Sequence, residues 1–349
     1  MRYFNMGITV KKGVKEKPVY YGGQAAMEGV MMRGRKSYAL AVRGPDKDIK
    51  MMLQSVKTAD QRPKILRWPI MRGIVAFGAS LVLGVKIIQD SAKMAGLDDL
   101  AEENPSRFEK WLEKRFGDKL FNYMMYFSVV LALGLSIGLF MLLPVWLSSF
   151  LNPIIGERTW ILGISEGLLR ILILIGYLLL ISRMKEIQRL FQYHGAEHKA
   201  INCHESGHEL NVENVRKHTC LHKRCGTSFL LIVMLISMVV FFFVRVDSIW
   251  LRLLSRVILV PLVAGLSYEF IMWAGRSKSK IVGIFSAPGM ALQNITTVEP
   301  EDDQIEIAIA ALKGVLVDDG VIPAPEPESE PDCEPEADTE MDITPEPGS

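Results

Sequence analysis

The chain has 349 residues, a formal net charge of +1, 49% apolar residues, six histidines and four cysteines. The net charge is a cancellation: residues 323–349 hold ten acidic residues and no Lys or Arg, and the remainder carries 40 basic against 29 acidic residues, a net of +11. Phe121–Gly156 runs 36 residues without a charge, and all six histidines fall within His194–His222, which together exclude a uniform soluble globule, a disulfide scaffold and a collagen-like chain.

Residues 1–67 form an N-terminal region with 15 Lys and Arg against five acids. Its first 30 residues lack a charged start, apolar core and cleavage site, so no signal peptide is expected. The Gly- and Met-rich stretch Tyr21–Gly34 contains no GxxxxGK(S/T) phosphate loop. Its methionines read as adaptable packing against helix or lipid. Ser37–Arg43 and Asp48–Gln54 flank Gly44, Pro45, Asp46 and Lys47, which predicts a β-hairpin.

Residues 68–122 come next. Gly73–Val85, between Arg72 and Lys86, is apolar but short against the roughly 20 residues that a span needs. We therefore read 68–90 as a re-entrant, interfacial or core helix, and 98–120 as a charged helical lead into the first span. Residues 123–182 supply two spans, Tyr123–Leu147 and Trp160–Ser182. The second contains Glu166 and Arg170, whose i,i+4 spacing puts them on one helix face. Residues 227–274 supply two more, Thr227–Val244 and Val257–Ala274, the latter apolar apart from Glu269. Charges inside spans are expected to pair within the bundle or to line a path. Basic segments stay cytoplasmic. Four spans place the N-terminus, the loop 183–226 and the C-terminus together on that side, whereas five would force the first 67 residues outside against their charge.

The loop 183–226 carries the chemistry. His194, Glu197 and His198 form an HxxEH pattern. Histidines at i and i+4 stand one helical turn apart, so both rings can reach one metal ion. Glu197, offset around the helix, could take a proton from a water activated by the metal. Ile187, Leu190, Phe191, His194, His198 and Ile201 share one stripe, which predicts an amphipathic helix lying flat at the membrane surface. His222 and Cys225 stand directly before the third span, and complete an expected four-ligand set of His194, His198, His222 and Cys225. Such mixed N/S donors suit a divalent metal, zinc above all. His204, His208, His218, Cys203 and Cys220 are alternates that read better as solvated loop residues. Disulfides are not expected in a cytosolic loop. Glu28 and Arg33 are candidates to cap the site, though the glycines around them favour a structural turn.

Residues 275–322 continue through Ser286–Met290 to a helix at Glu299–Gly314, acidic at its start and basic at its end as the helix dipole favours. Residues 323–349 are too acidic and Pro-rich to order themselves. The fold class expected is a mainly α, polytopic membrane protein: about four transmembrane helices plus the re-entrant or interfacial helix, with a small N-terminal β-hairpin region.

Five separated stretches resemble, in order, the YqhQ-like family of bacterial integral membrane proteins, described as predicted metal-dependent enzymes. They are GGQAAMEGVMMRG (Gly22–Gly34), FQYHGAEHKAI (Phe191–Ile201), VENVRKH (Val212–His218), LHKRCGTSFLLIV (Leu221–Val233) and APGMALQNITTVEPEDDQIEIAIAAL (Ala287–Leu312). The resemblance covers about residues 18–316. It implies a bacterial inner-membrane protein with a metal site, the pattern falling on His194, Glu197, His198, His222, Arg224 and Cys225. The resemblance assigns no metal role to His204, His208, His218 or Cys220, and the acidic tail looks particular to this chain.

Two functions are weighed. One is a membrane-embedded metal-dependent hydrolase, with Glu197 as general base, Arg224 holding an anion, and a lipid or membrane peptide as substrate. The other is a non-enzymatic scaffold or assembly factor stapled by a structural zinc site. A transporter using Glu166, Arg170 and Glu269 is a third and weaker reading, since four spans are few and no inverted repeat is evident. The lipid bilayer is an expected partner; nucleic acid is not.

Overall fold

The computed structural model describes residues 21–56, 63–97, 120–150, 159–244, 248–274 and 280–323. The charged segment expected at 98–120 lies outside the described residues but for Leu120, and the acidic tail but for Pro323.

The N-terminal region is a four-stranded antiparallel meander: β1 (Gly22–Ala26), β2 (Gly29–Arg33), β3 (Ser37–Arg43) and β4 (Ile49–Ser55), in that order. The expected hairpin is β3–β4. The Gly- and Met-rich stretch supplies two further strands, joined at Met27 and Glu28, where Glu28 takes a φ of 51°. The register puts Val30, Met32, Ala39 and Ala41 on one face and Met31, Tyr38, Leu40 and Val42 on the other. Both faces are buried. That is why β3 (SYALAVR) does not alternate polar with apolar: helices cover both sides of it.

One face packs on α1 (Met71–Met94), through Ile87. The other packs on α5 (Lys185–Glu205) and the C-terminal helix α10 (Asp302–Asp318), through Tyr193, Ala196, Ile305, Ala308 and Leu312. A reciprocal capping box between Glu301 and Gln304 starts α10, as its acidic first turn suggests. The short α6 (Val212–Arg216) closes the core with Val215. The N-terminal sheet, the histidine loop and the C-terminal helix are therefore one packed body.

The apolar helices are α2 (Leu120–Ile137) continued by a π-helical turn (Gly138–Leu142) into α3 (Leu143–Ser149), then α4 (Thr159–Ile181), α7 (Gly226–Phe243) and α8 (Ile249–Ala274). α9 (Lys280–Thr296) lies against α7 and α4. Five described helices are long and apolar enough to cross a membrane: Met71–Met94, Phe127–Ser149, Ile161–Ile181, Gly226–Phe243 and Trp250–Ala274.

Parity separates α1 from the other four. The sheet and α5 share one body, so the chain between them crosses the bundle an even number of times. Three apolar helices lie in that interval among the described residues, and α1 is the one that also packs on the sheet. Its Gly73 meets Gly265 and Tyr268, well along α8, with no room for a side chain at the crossing. Arg72 pairs with Glu269, and Phe77 rests 6.2 Å from Phe229 near the start of α7. Past that level α1 leaves the bundle, and Ile87 and Ser91 are buried against the sheet, with Ser91 Oγ accepting from Met27 N–H at 3.1 Å. The helix is longer than the 13-residue apolar run and is itself long and apolar enough to cross a membrane. By length and composition all five described helices remain candidate spans, and α1 differs from the other four in packing on the sheet through its C-terminal half.

Candidate metal centre

α5 brings the HxxEH pattern to the boundary between the sheet body and the bundle. Its first turns are wet, whereas Gly195–Ile201 are buried at every position. The flat interfacial helix expected from the stripe does not describe this half. The histidines do share the apolar stripe, but β1, α10 and the segment before α7 enclose the remaining faces. Periodicity reports one packed face and is blind to contacts arriving from distant segments.

Both imidazoles are oriented by main-chain carbonyls. His194 Nδ1 donates to Thr296 O at 2.8 Å, and His198 Nδ1 donates to Cys220 O. The tautomers follow from these partners: each ring carries its proton on Nδ1 and presents a bare Nε2 lone pair. His194 Nε2 stands 3.2 Å from Cys225 Sγ. His198 Nε2 is buried with no hydrogen-bond partner. The ligand atoms of His194, His198 and Cys225 all lie within 4.8 Å of one another. Ligands about 2.0–2.3 Å from a tetrahedral zinc are about 3.3–3.7 Å apart, so small rotations would close this set on an ion. Cys225 is the N-cap of α7, and its Sγ accepts from Thr227 N–H at 3.3 Å, which fixes the sulfur.

The fourth expected ligand does not join them. His222 is buried and its ring is 5.6 Å from that of His198, but its Nε2 lies 3.7 Å from Glu205 Oε2. Glu205 draws it away. That carboxylate is held below its usual range by His222 first and by Arg224 next. Arg224 pairs with Glu205 at the wall of the cleft described below. The backbone of His222 is clamped by Gln293, whose Oε1 accepts from His222 N–H and whose Nε2 donates to His222 O, both at 2.8 Å.

Glu197 is buried beside the cluster, its Oε2 3.9 Å from His194 Nε2 and 3.7 Å from His198 Nε2. β1 passes directly over it. A Cβ at Gly23 would come within 3.0 Å of Glu197 Cγ and would collide with Met31 O, so the strand can cross here only as glycine. Burial pushes the Glu197 carboxyl upward, opposed by His194, His222 and the Gly23 N–H. A cleft of about 740 Å³ opens on these groups, with Arg33 and Arg224 in its walls and apolar Leu83, Phe191, Tyr268 and Met272 leading toward the spans. The cleft joins three donors that could hold a metal ion, one acidic group alongside them and an amphiphilic approach.

The other sequence candidates are placed elsewhere. His208 Nδ1 and His218 Nε2 face each other at 3.1 Å on the exposed rim, and His204 is edge-on to Tyr21. Cys203 packs in the core. Burial and Glu299 push the Cys220 thiol up to about 12, and only its carbonyl serves the site. Glu28 does not cap the cleft but pairs with Arg189, with Tyr193 OH donating to it at 3.2 Å. Sequence reasoning missed Gly23, Gln293 and Thr296. Gln293 and Thr296 do lie in the Ala287–Leu312 stretch, where a buried polar pair on an apolar helix was a usable signal.

Gly195 is the tightest point of the centre. A Cβ there would run into Val298 O and reach Cys220 Sγ at 3.3 Å. Gly195→Ala is expected to lower stability by about 1–3 kcal/mol and to loosen the His194–Thr296 bond. A thermal unfolding midpoint equal to that of the wild type would contradict this packing.

The family model described as "Protein of unknown function (DUF1385)" matches residues 68–318. The chain belongs to this family. The matched region takes in all four expected metal ligands and the span helices, while the sheet lies ahead of it. Uncharacterized protein YqhQ of Bacillus subtilis (strain 168) is 36% identical over 307 residues, covering 86% of this chain and 93% of that one. That coverage bears out the resemblance to YqhQ-like proteins. No solved structure matches.

Proposed function

We infer that the protein is a membrane-embedded, metal-dependent hydrolase working at the cytoplasmic face on a lipid or membrane peptide. One observation carries the reading: the His194, His198 and Cys225 donors converge beside the Glu197 carboxylate. Three protein ligands with an open position is the pattern of catalytic zinc sites, while structural sites are closed by four. The His198 Nε2 lone pair supports a resident cation, because a buried acceptor without a donor costs about 1–3 kcal/mol. The N,N,S donor set suits zinc. Such a cation, held by His194, His198 and Cys225, would supply Lewis acidity.

The chain's own groups do the rest. Glu197 takes the proton of the attacking water and returns it to the leaving group, from a position beside both imidazoles. Arg224, steadied by Glu205, holds negative charge on the substrate. The apolar part of the cleft accepts a chain from the bilayer side. The cytoplasmic assignment rests on the basic N-terminal region and histidine loop. A zinc-stapled scaffold needs a closed site, which the turn of His222 toward Glu205 disfavours.

The test compares lipid and membrane-peptide content in cells lacking the chain, then complemented with wild type or with Glu197→Gln. A species that accumulates in the deletion, persists with Glu197→Gln and clears with wild type is the expected result. Clearance by Glu197→Gln as well would replace the hydrolase with the scaffold.

A further inference from the structure

Away from the metal centre, the bundle holds a second cluster of charge. Glu166 and Arg170 on α4 and Arg256 on α8 are each at most 4% exposed. The i,i+4 pairing of Glu166 with Arg170 that their spacing suggests does not form. Glu166 turns to α8, with Arg256 at 3.0 Å and Arg252 at 3.3 Å. Arg170 meets no carboxylate within ion-pair distance among the described residues. Its Nε donates to Phe140 O at 2.9 Å, a carbonyl of the π-helical turn, and one terminal nitrogen donates to Ser237 Oγ at 3.0 Å. The guanidinium lies 5.2 Å from the centre of the Phe241 ring, and its other terminal nitrogen is buried without a partner.

A guanidinium cannot shed its charge in a protein, and a buried charge left unpaired is strongly destabilising. Arg170 also borders a cavity of about 120 Å³, whose walls are otherwise Ser237 and apolar side chains from α1, the π-helical turn, α7 and α8. Arg170 is central in α4, about 16 Å from either end at 1.5 Å per residue, beyond the reach of lipid headgroups. We propose that Arg170, Ser237 and this cavity form a binding site for a small monovalent anion of chloride's size, held in the middle of the bundle. A water occupies about 30 Å³ of liquid, so the cavity has room for such an ion with its inner hydration, but not for a polyhydroxy acid. The anion supplies the negative charge that Glu166, committed to α8, does not. This site is independent of the metal centre and of the hydrolase reading.

The test uses the full chain in lipid nanodiscs, in gluconate buffer, with chloride replacing gluconate at constant ionic strength. Chloride is expected to raise the thermal midpoint saturably by about 2–4 °C. Arg170→Met is expected to be the more stable protein in gluconate and to lose the chloride response. Saturable line broadening of chloride-35 resonance by the wild type, reversed by bromide, reads the same site without any variant. Equal midpoints in chloride and gluconate, absence of saturable broadening, or an undiminished response in Arg170→Met would each overturn the proposal.

Discussion

Glu197→Gln is expected to keep its metal and lose its reaction. The amide has nearly the volume of the carboxylate, so the passage of β1 over it at Gly23 is undisturbed. The three converging donors are other residues, so the metal should stay. What the amide lacks is basicity, and removing a positioned general base typically lowers a rate by about 10²–10⁴-fold. Turnover of the species that accumulates in the deletion strain, measured beside metal content, checks this. Full turnover with Glu197→Gln would remove Glu197 from the mechanism. Loss of metal would make it a ligand instead.

His198→Ala has the largest expected effect on the site itself. Changes to partners outside the ligand set already cost about 10–100-fold in metal affinity, so loss of one of three ligands should cost at least about 100-fold. The protein should go from one metal per chain to almost none. The second sign is thermal. A ligand present at about 1,000 times its dissociation constant stabilises by about 4 kcal/mol, so a chelator should lower the midpoint of the wild type clearly. In His198→Ala the chelator should do nothing. A chelator-sensitive midpoint that survives in the variant would place the metal elsewhere.

What was legible in the sequence were features set by local pattern. Apolar length pointed to four spans and a fifth, shorter run at 68–90, where the structure has five long apolar helices, and an even span count grouped the N-terminal region, the loop and the C-terminal segment, which the structure joins as one body. The HxxEH spacing and Cys225 before α7 located three converging donors. Features set by distant partners were not legible. β1 and β2 hide in glycines and methionines because their reason is a strand crossing over Glu197 and a covered second face, neither of which leaves alternation. His222 carries the right chemistry at the right spacing, and Glu205, 17 residues upstream, turns it aside. The carbonyls of Thr296 and Cys220, which set both tautomers, have no side-chain signature at all. The same holds in the bundle: Glu166 and Arg170 are neighbours by spacing, and α8 competes successfully for the carboxylate.

His194, His198 and Cys225 are expected to hold one metal ion. Metal content and X-ray absorption of the purified wild-type chain test it most directly. The expected result is one zinc per chain with a single sulfur near 2.3 Å and two imidazole nitrogens near 2.0 Å, roughly the usual zinc–ligand lengths, and loss of the sulfur shell in Cys225→Ser. A metal-free wild-type chain, or a metal shell without sulfur, would contradict it.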